Sequence, residues 1–411
     1  MAIIALVLDG LVDVCQWTAD KVAKGVKKGA PIAKEGIKSI SEWIGSHISD
    51  SRIELKPINI SLVAPSGFGK TTLISTIMHE MNLRLTKTDK ERSYELDIRP
   101  TNEEDNNRLL KINKVFDNAI VANCGKISTV SIEGSGEIAS YNYEIAMSAP
   151  GNKKELIQPF CMMDIPGGWI NPEERQGSEV ENQWEKFEEH LHESKILWIP
   201  IDAVALMEVR TPKEKSASAK LLNVTDISNL AMEWAKYRTD DEESCICFVP
   251  IKCETYKLFG GDTDNADKKF REKFNAFIET IVHNVKESND KANIKMYYTP
   301  VETIGCIKKI SAKWTTDEAD SDKVKFSADF AITGNARKIK GADALLCKVY
   351  EYAYNQILDM EKYDETRAGK ANFFDRKKYE LAFQSVKKAV KPIVDELGKH
   401  TALQEKLEEI D

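Results

Sequence analysis

The chain has 411 residues, of which 42% are hydrophobic and 30% are charged, and its formal net charge is −8. These values are ordinary for a folded protein of about two or three domains. The acidic balance argues against a nucleic-acid-binding protein, which usually carries a basic domain, so we expect no direct contact with nucleic acid. No apolar run reaches the ~18 residues of a membrane-spanning helix. Eight cysteines without a CxxC pair predict buried free thiols in a reducing cytoplasm.

Residues 1–52 are predicted to form an N-terminal helical segment. Apolar residues recur at helical spacing on both sides of Pro31, and lysines lie between them. We favour helices that pack on the protein and keep a solvated lysine face. Contact of residues 1–50 with a membrane surface or a partner protein is the alternative. The apolar start lacks a basic region and contains Asp9, so we expect no signal peptide.

Five nearly continuous apolar runs follow, separated by helical or polar stretches. Runs of this kind are typical of strands that are buried on both faces of a sheet. Because strands alternate with helices, the pattern predicts an α/β fold with a mainly parallel sheet. A more alternating run, Tyr141–Met147, suits an edge strand. The five runs are Ile58–Val63, Phe160–Met163, Ile196–Ile201, Cys245–Ile251 and Met296–Thr299.

The connections between these runs are long. Spacers at 77–135 and 204–244 exceed typical connections, so we expect extra helices in both. Residues 312–322 are acidic and polar and predict a mobile loop, whereas 342–361 predict a helix. A charged helical pattern then continues to residue 410. We therefore divide the chain into an N-terminal helical segment at 1–52, a central domain at 53–361 and a C-terminal helical appendage at 362–411.

The most specific motif is Ala64–Thr72, with the sequence APSGFGKTT, which we call the phosphate loop. It lies between a predicted strand and a predicted helix and fits the pattern GxxxxGK(S/T), with alanine in the first position. Its glycines let backbone N–H groups point at phosphate oxygens. Lys70 would contact the β- and γ-phosphates, and the Thr71 hydroxyl would ligate Mg²⁺. The residues predicted to bind phosphate here are Ser66, Gly67, Phe68, Gly69, Lys70, Thr71 and Thr72.

An apolar strand that ends in Asp164 forms the second motif. The segment Asp164–Gly167 has the form DxxG and resembles the switch motif of GTPases. That resemblance implies that Asp164 supports Mg²⁺ and that the Gly167 N–H contacts the γ-phosphate, so that Lys70 and Gly167 are the catalytic candidates.

Gly168 stands where Ras-like GTPases carry a glutamine that orients the attacking water. Its absence predicts slow intrinsic hydrolysis or a catalytic group from elsewhere. Glu173, Glu174 and Gln176 follow closely and are candidates for that group.

Two further segments resemble the parts of GTPases that hold the base. Val249–Glu254, VPIKCE, is similar to the guanine-specificity motif (N/T)KxD, with Lys252 matching, Ile251 in place of the asparagine or threonine, and Glu254 in place of the aspartate. Tyr298–Gly305, YTPVETIG, is similar to the loop that covers the base. We expect guanine to be bound by Lys252, Glu254 and Thr303. ATP, relaxed specificity, or a strand end without a ligand is the alternative.

The magnesium-sensing residue of the first switch should precede the run Tyr141–Met147. Ser135, in the sequence IEGSG, is our first candidate for this Mg²⁺ contact, and Thr129 is the second. Surface loop residues without a role are the alternative interpretation of both.

Together, and in this order, the motifs resemble those of TRAFAC-class P-loop GTPases. More narrowly, DIPGG and TPVETIG are similar to the bacterial double-GTPase-like group of conflict and stress systems. The resemblance covers roughly residues 55–360. It implies a P-loop NTPase three-layer sandwich with a mainly parallel sheet, flanked by N- and C-terminal helical segments.

The same resemblance implies Mg²⁺ as cofactor and GTP or GDP as ligand, with ATP as the alternative. It also implies a cytoplasmic nucleotide switch that controls a partner protein or an assembly through the helical ends of the chain. A nucleotide-stabilised binding subunit with little turnover and a dynamin-like membrane-associated GTPase are the alternative functions.

Overall fold

The computed structural model describes most of the central part of the chain. The predicted helices at 1–50, the first-switch candidates Ser135 and Thr129, and all but three residues of the appendage at 362–411 lie outside the described residues. The described residues are 52–86, 95–123, 127–128, 138–148, 155–256, 258, 264–316, 324–342, 344–346, 348–349, 351–356 and 408–410.

The described strands form a nine-stranded sheet and a three-stranded sheet. In chain order they are β1 (Arg52–Glu54), β2 (Ile58–Leu62), β3 (Glu95–Pro100), β4 (Ile127–Ser128), β5 (Ala139–Ser148), β6 (Glu155–Asp164), β7 (Ile196–Asp202), β8 (Ser244–Ile251), β9 (Ile294–Tyr298), β10 (Ile307–Thr316), β11 (Val324–Ile332) and β12 (Glu408–Glu409). The large sheet has the order β12-β9-β8-β7-β2-β6-β5-β3, and β1 also pairs with β6.

The middle of the large sheet is parallel, as the sequence predicts. Strands β6, β2, β7, β8 and β9 pair in parallel with their neighbours in this group. Each of them contains one of the five predicted apolar runs, except that Val63 and Thr299 lie just beyond the strand ends. The prediction of an α/β fold with a mainly parallel sheet is therefore confirmed. Since all five strands run in one direction, their carboxyl ends meet at one edge of the sheet.

Helices flank both faces of this sheet. Trp198 of β7 belongs to the same buried cluster as Leu73 and Ile77, whereas Leu197 belongs to a second cluster with Trp234. This alternation buries both faces and is compatible with a three-layer sandwich. The helices are α1 (Lys70–Thr86), α2 (Glu103–Asn123), α3 (Ser178–Glu193), α4 (Ala203–Met207), α5 (Pro212–Leu221), α6 (Val224–Lys236) and α7 (Asp264–Ser288), together with the described residues between 342 and 356.

The predicted edge strand is in the wrong place. Strand β5 lies between β6 and β3 and is antiparallel to both. The outer position belongs to β3, which lies in the spacer 77–135 together with the expected extra helix, α2. Its sequence, ELDIRP, contains few apolar residues, so its pattern is too weak to predict a strand. Pairing with β5 brings Ile98 opposite Ile145 and buries it, which only the tertiary contact achieves.

The predicted mobile loop at 312–322 is wrong for its first five residues. Residues 312–316 belong to β10, which pairs with β11 in an antiparallel hairpin. Trp314 and Phe326 face each other across this pair, with ring centroids 4.7 Å apart. A cross-strand aromatic pair of this kind stabilises a strand even where the neighbouring residues are polar.

The C-terminal end of the chain also departs from the helical prediction. Glu408 and Glu409 form β12, antiparallel to β9 at the edge of the large sheet, and the Ile410 N–H donates to the Met296 carbonyl at 2.8 Å. Open backbone groups on an edge strand accept any extended partner, so the contact overrides local helical propensity. Among the described helices, none combines the length and the apolar character needed to cross a membrane.

Candidate functional site

Candidate residues follow the carboxyl ends of the parallel strands. The phosphate loop follows β2, and Asp164 and Asp202 end β6 and β7. Lys252 follows β8, and Thr303 lies in the loop after β9. In open α/β sheets, ligands bind at this edge, where loops and helix N-termini converge.

The phosphate loop is a tight turn from β2 into α1. Gly67 and Gly69 have φ values of 78° and 73°, a region that side chains rarely adopt. The Gly69 carbonyl accepts a hydrogen bond from the Leu73 N–H at 2.8 Å, which begins the helix. Phe68 is buried in the core, whereas Ser66 and Gly67 are exposed. The exposed backbone therefore surrounds the N-terminus of α1, an arrangement that suits a bound anion.

The ammonium group of Lys70 lies along the inside of this loop. Its Nζ donates to the carbonyls of Ala64 at 2.7 Å and Pro65 at 3.3 Å. It also lies 3.9 Å from Oδ1 of Asp164. Burial lowers the pKa of Lys70, and attraction to Asp164 opposes that effect. A buried ammonium in this position can contact any anion that the loop backbone holds.

The carboxylate of Asp164, in the DxxG segment, contacts Lys70 and Thr71 at the end of the phosphate loop. Its Oδ2 accepts a hydrogen bond from the Thr71 hydroxyl at 3.2 Å. Only 1% of the side chain is exposed, and burial raises the pKa of Asp164 to about 6, against the lowering effects of Lys70, the Thr71 hydrogen bond and Arg108. Among the described residues, Oδ1 has no hydrogen-bond partner. A buried carboxylate oxygen without a donor indicates a place for a ligand or an ordered water.

The donors around Asp164 fit Mg²⁺. This ion is usually held by one or two protein oxygens, with substrate phosphates and water completing an octahedron. Thr71 and Asp164 offer such oxygens next to the phosphate loop. The described part of the chain contains no group of three or more His, Cys, Asp or Glu residues that could hold a metal. A Mg²⁺ ion shared with phosphate therefore fits this donor set better than a metal held by protein alone.

Gly167 packs directly on the backbone of the phosphate loop. A Cβ atom at this position would lie 1.9 Å from the Ser66 nitrogen and 2.3 Å from the carbonyl carbon of Pro65. Both neighbours are backbone atoms, so no side-chain rearrangement would make room. Only glycine allows this approach, which joins the DxxG segment to the phosphate loop.

Glu254 supports the loop after β9. It lies in a 3₁₀ turn, and its Oε1 accepts hydrogen bonds from the N–H groups of Ile304 at 2.8 Å and Gly305 at 3.1 Å. The Thr303 hydroxyl lies 3.5 Å from the same oxygen. Burial raises the pKa of Glu254, whereas these backbone hydrogen bonds lower it. Its Oε2 is buried and has no hydrogen-bond partner within the described part of the chain.

Lys252 has a different partner. Its Nζ lies 2.5 Å from Oδ2 of Asp202, and its backbone adopts a positive φ of 59°. The other oxygen of Asp202 caps α4 by accepting from the N–H groups of Val204 and Ala205. Lys252 and Glu254 are thus close in sequence but are held by different elements.

The two halves of the site are joined through α1. The Thr76 hydroxyl donates to the carbonyls of Thr72 at 2.7 Å and Thr303 at 3.1 Å. A Cβ at Gly69 would lie 3.0 Å from Cδ1 of Ile251, the residue before Lys252. The structure therefore brings the phosphate loop, the segment after β8 and the loop after β9 into contact.

Asp202, which ends β7, and Arg175, which follows the DxxG segment, were not predicted from the sequence. Asp202 ends an apolar strand and precedes a short helix, which is an N-cap signal that could have been found. Arg175 donates to the carbonyls of Trp169 at 2.6 Å and Ile170 at 2.8 Å, and its guanidinium lies over the Trp184 ring. No local pattern predicts such a set of contacts.

Comparison with known proteins adds no relative. No protein-family model matches the chain, and no curated protein matches it significantly.

Proposed function

We propose that this chain is a Mg²⁺-dependent P-loop GTPase that acts as a nucleotide-controlled switch on a partner protein or an assembly. The observation that carries the proposal is the contact between the phosphate loop and the DxxG segment. Lys70 and Thr71 both approach Asp164, and Gly167 packs on Ser66. Phosphate binding, Mg²⁺ ligation and detection of the γ-phosphate need these groups in one place.

Each part of the site has a role in this proposal. The backbone N–H groups of the phosphate loop and the ammonium of Lys70 hold the β- and γ-phosphates. A Mg²⁺ ion held by Thr71 and Asp164 would neutralise part of the phosphate charge. The Gly167 N–H contacts the γ-phosphate, so loss of that phosphate releases the turn after Gly167. Ser135 remains a predicted further Mg²⁺ contact outside the described residues.

Guanine recognition is supported by the free oxygen of Glu254. Because Oε1 is occupied by backbone N–H groups, Oε2 is the oxygen that could accept from guanine N1 and N2. Adenine has no donor at N1, so it would leave this buried oxygen without a partner. The Thr303 hydroxyl lies 3.5 Å from Oε1 of Glu254, and Lys252 is paired with Asp202.

The direct test is the nucleotide that the purified protein carries. We expect denaturation to release GDP or GTP, identified by chromatography, and calorimetry to show Mg²⁺-dependent binding of GTP. Equal or tighter binding of ATP would contradict the guanine part of the proposal and leave the phosphate site intact. Failure to bind either nucleotide in the presence of Mg²⁺ would contradict the whole proposal.

A second candidate function is a nucleotide-stabilised binding subunit with little turnover. The glycine at 168, in place of a water-orienting glutamine, favours it. Prolonged incubation with radiolabelled GTP separates the two functions. A switch converts bound GTP to GDP, whereas a binding subunit still holds GTP at the end of the incubation.

A further inference from the structure

The turn after Gly167 brings a carboxylate back towards the phosphate loop. Gly168 has no side chain, and a Cβ at this position would lie 2.2 Å from Oε2 of Glu174. The carboxylate of Glu174 therefore occupies the space that a side chain at position 168 would fill. Gly167, the preceding residue, is in contact with the backbone of Ser66. Glu174 is thus placed next to the segment that faces the γ-phosphate in the proposed function.

Local hydrogen bonds hold the backbone of the turn that carries Glu174. It ends a 3₁₀ turn at Pro172–Glu174 that is capped by Asn171, whose Oδ1 accepts from the Glu173 N–H at 3.0 Å. The Glu174 N–H donates to the Asn171 carbonyl at 3.1 Å. These hydrogen bonds fix the backbone of the turn, so the Glu174 side chain starts from a defined position next to Gly168.

Arg175 fixes the other side of the same turn. It donates to the carbonyls of Trp169 and Ile170, which belong to the 3₁₀ turn beginning at Gly167. Its guanidinium lies 3.4 Å from the centroid of the Trp184 ring on α3. Arg175 therefore connects the two 3₁₀ turns of this segment to each other and to helix α3.

The other candidate side chains of this segment are placed differently. Gln176 Nε2 donates to the carbonyl of Glu173, 3.0 Å away, so its amide is occupied within the turn. Glu173 is exposed and is not among the atoms that approach Gly168. Glu174 is also exposed, and its carboxylate makes no hydrogen bond or ion pair with any residue that the structure describes. Of the three, Glu174 alone has a free acceptor next to Gly168.

We propose that Glu174 is the catalytic residue that acts in place of the missing glutamine, by deprotonating the attacking water. This inference rests on the proposed GTPase function. The water oxygen bonds to the γ-phosphorus as the bond to the β,γ-bridging oxygen breaks, and GDP leaves with that oxygen. The water proton passes to the Glu174 carboxylate and then to the inorganic phosphate. A carboxylate placed within reach of the water performs this general-base step.

The test compares Glu174→Gln with the wild type in single-turnover hydrolysis of GTP and of ATP with Mg²⁺. Glutamine keeps the size of the side chain but is a far weaker base, so we expect hydrolysis to fall about 100-fold. Affinities for GTP and GDP should change by less than about 2-fold, because the carboxylate acts on the transition state. Aluminium fluoride bound together with GDP mimics the transferred phosphoryl group. We expect the variant that hydrolyses GTP more slowly to lose this binding as well.

Glu173→Gln is the matched control, because it removes the neighbouring exposed carboxylate of the same turn and should leave the rate unchanged. A rate for Glu174→Gln equal to that of the wild type would overturn the inference while leaving nucleotide binding intact. Wild-type protein that binds GTP or ATP but hydrolyses neither would also overturn it. Wild-type protein that binds neither nucleotide would instead overturn the proposed function itself, together with this inference.

Discussion

The proposed phosphate side of the site, around the phosphate loop, and its proposed base side, around Lys252 and Glu254, use their polar groups differently. Around the phosphate loop, Ser66 and Gly67 are exposed, and Oδ1 of Asp164 lies near the Lys70 ammonium but has no hydrogen-bond partner among the described residues. On the base side, one carboxylate oxygen of Glu254 accepts hydrogen bonds from the backbone of the loop after β9, and Lys252 forms an ion pair with Asp202. Substitutions on the phosphate side should therefore change ligand binding first, whereas those on the base side should also change stability.

The largest effect is expected from Lys70→Ala. It removes the one ammonium that lies inside the phosphate loop, and a charged hydrogen bond to phosphate contributes about 2–3 kcal/mol, so nucleotide affinity should fall roughly 100-fold. Isothermal titration with GTP and Mg²⁺ measures this change. Lys186→Ala, at an exposed position on α3, is the control and should bind as the wild type does. Unchanged affinity in Lys70→Ala would remove the phosphate loop from the binding site.

The second largest effect is the loss of stability that we expect when Glu254, on the base side, is replaced. Glu254→Ala leaves the N–H groups of Ile304 and Gly305 without their acceptor, which should cost about 1–3 kcal/mol of unfolding free energy. Urea denaturation of the nucleotide-free protein measures the loss.

Glu254→Gln separates the two roles of this residue. The amide oxygen can still accept from the backbone, so most of the stability should be retained. Its NH₂ group replaces the oxygen that would face guanine, so the preference for GTP over ATP should fall. An unchanged preference would show that Glu254 serves only to hold the loop.

The next largest effect is the loss of stability that we expect from Gly167→Ala. The added methyl group meets backbone atoms of the phosphate loop, and overpacking of this kind typically costs about 1–3 kcal/mol. Thermal unfolding measures the loss. Gly168→Ala is the matched comparison, since its methyl group meets only the mobile end of the Glu174 side chain and should cost within about 0.5 kcal/mol. Equal losses in both variants would mean that the DxxG segment does not rest on the phosphate loop.

The smallest effect is expected from Lys252→Met. The substitution breaks the ion pair with Asp202, which is partly exposed to solvent on the lysine side, so stability should fall by only about 0.5–1 kcal/mol. The second oxygen of Asp202 still caps α4, which limits the change. Chemical denaturation at low and high salt measures it, because an ion pair of this kind weakens as salt rises. A larger, salt-independent loss would place Lys252 in the structural core of the base side.

Much of the fold could be predicted from local patterns. The five apolar runs identify the parallel strands because a strand buried on both faces has no polar alternation. The phosphate loop was recognisable because its glycines and the following helix are consecutive in sequence. Strand β3 could not be found in this way, since its segment ELDIRP has no clear strand pattern and Ile98 is buried where it pairs with β5.

The sequence by itself determined the order of the parallel strands along the chain, the phosphate loop and the position of Asp164 at a strand end. Each of these depends on residues that are neighbours in sequence, where periodicity and backbone freedom are encoded. The tertiary structure alone decided that Glu254 holds Ile304 and Gly305, and that Glu174 turns back onto Gly168. These contacts depend on how separate loops and turns are brought together at the sheet edge, which no local pattern specifies.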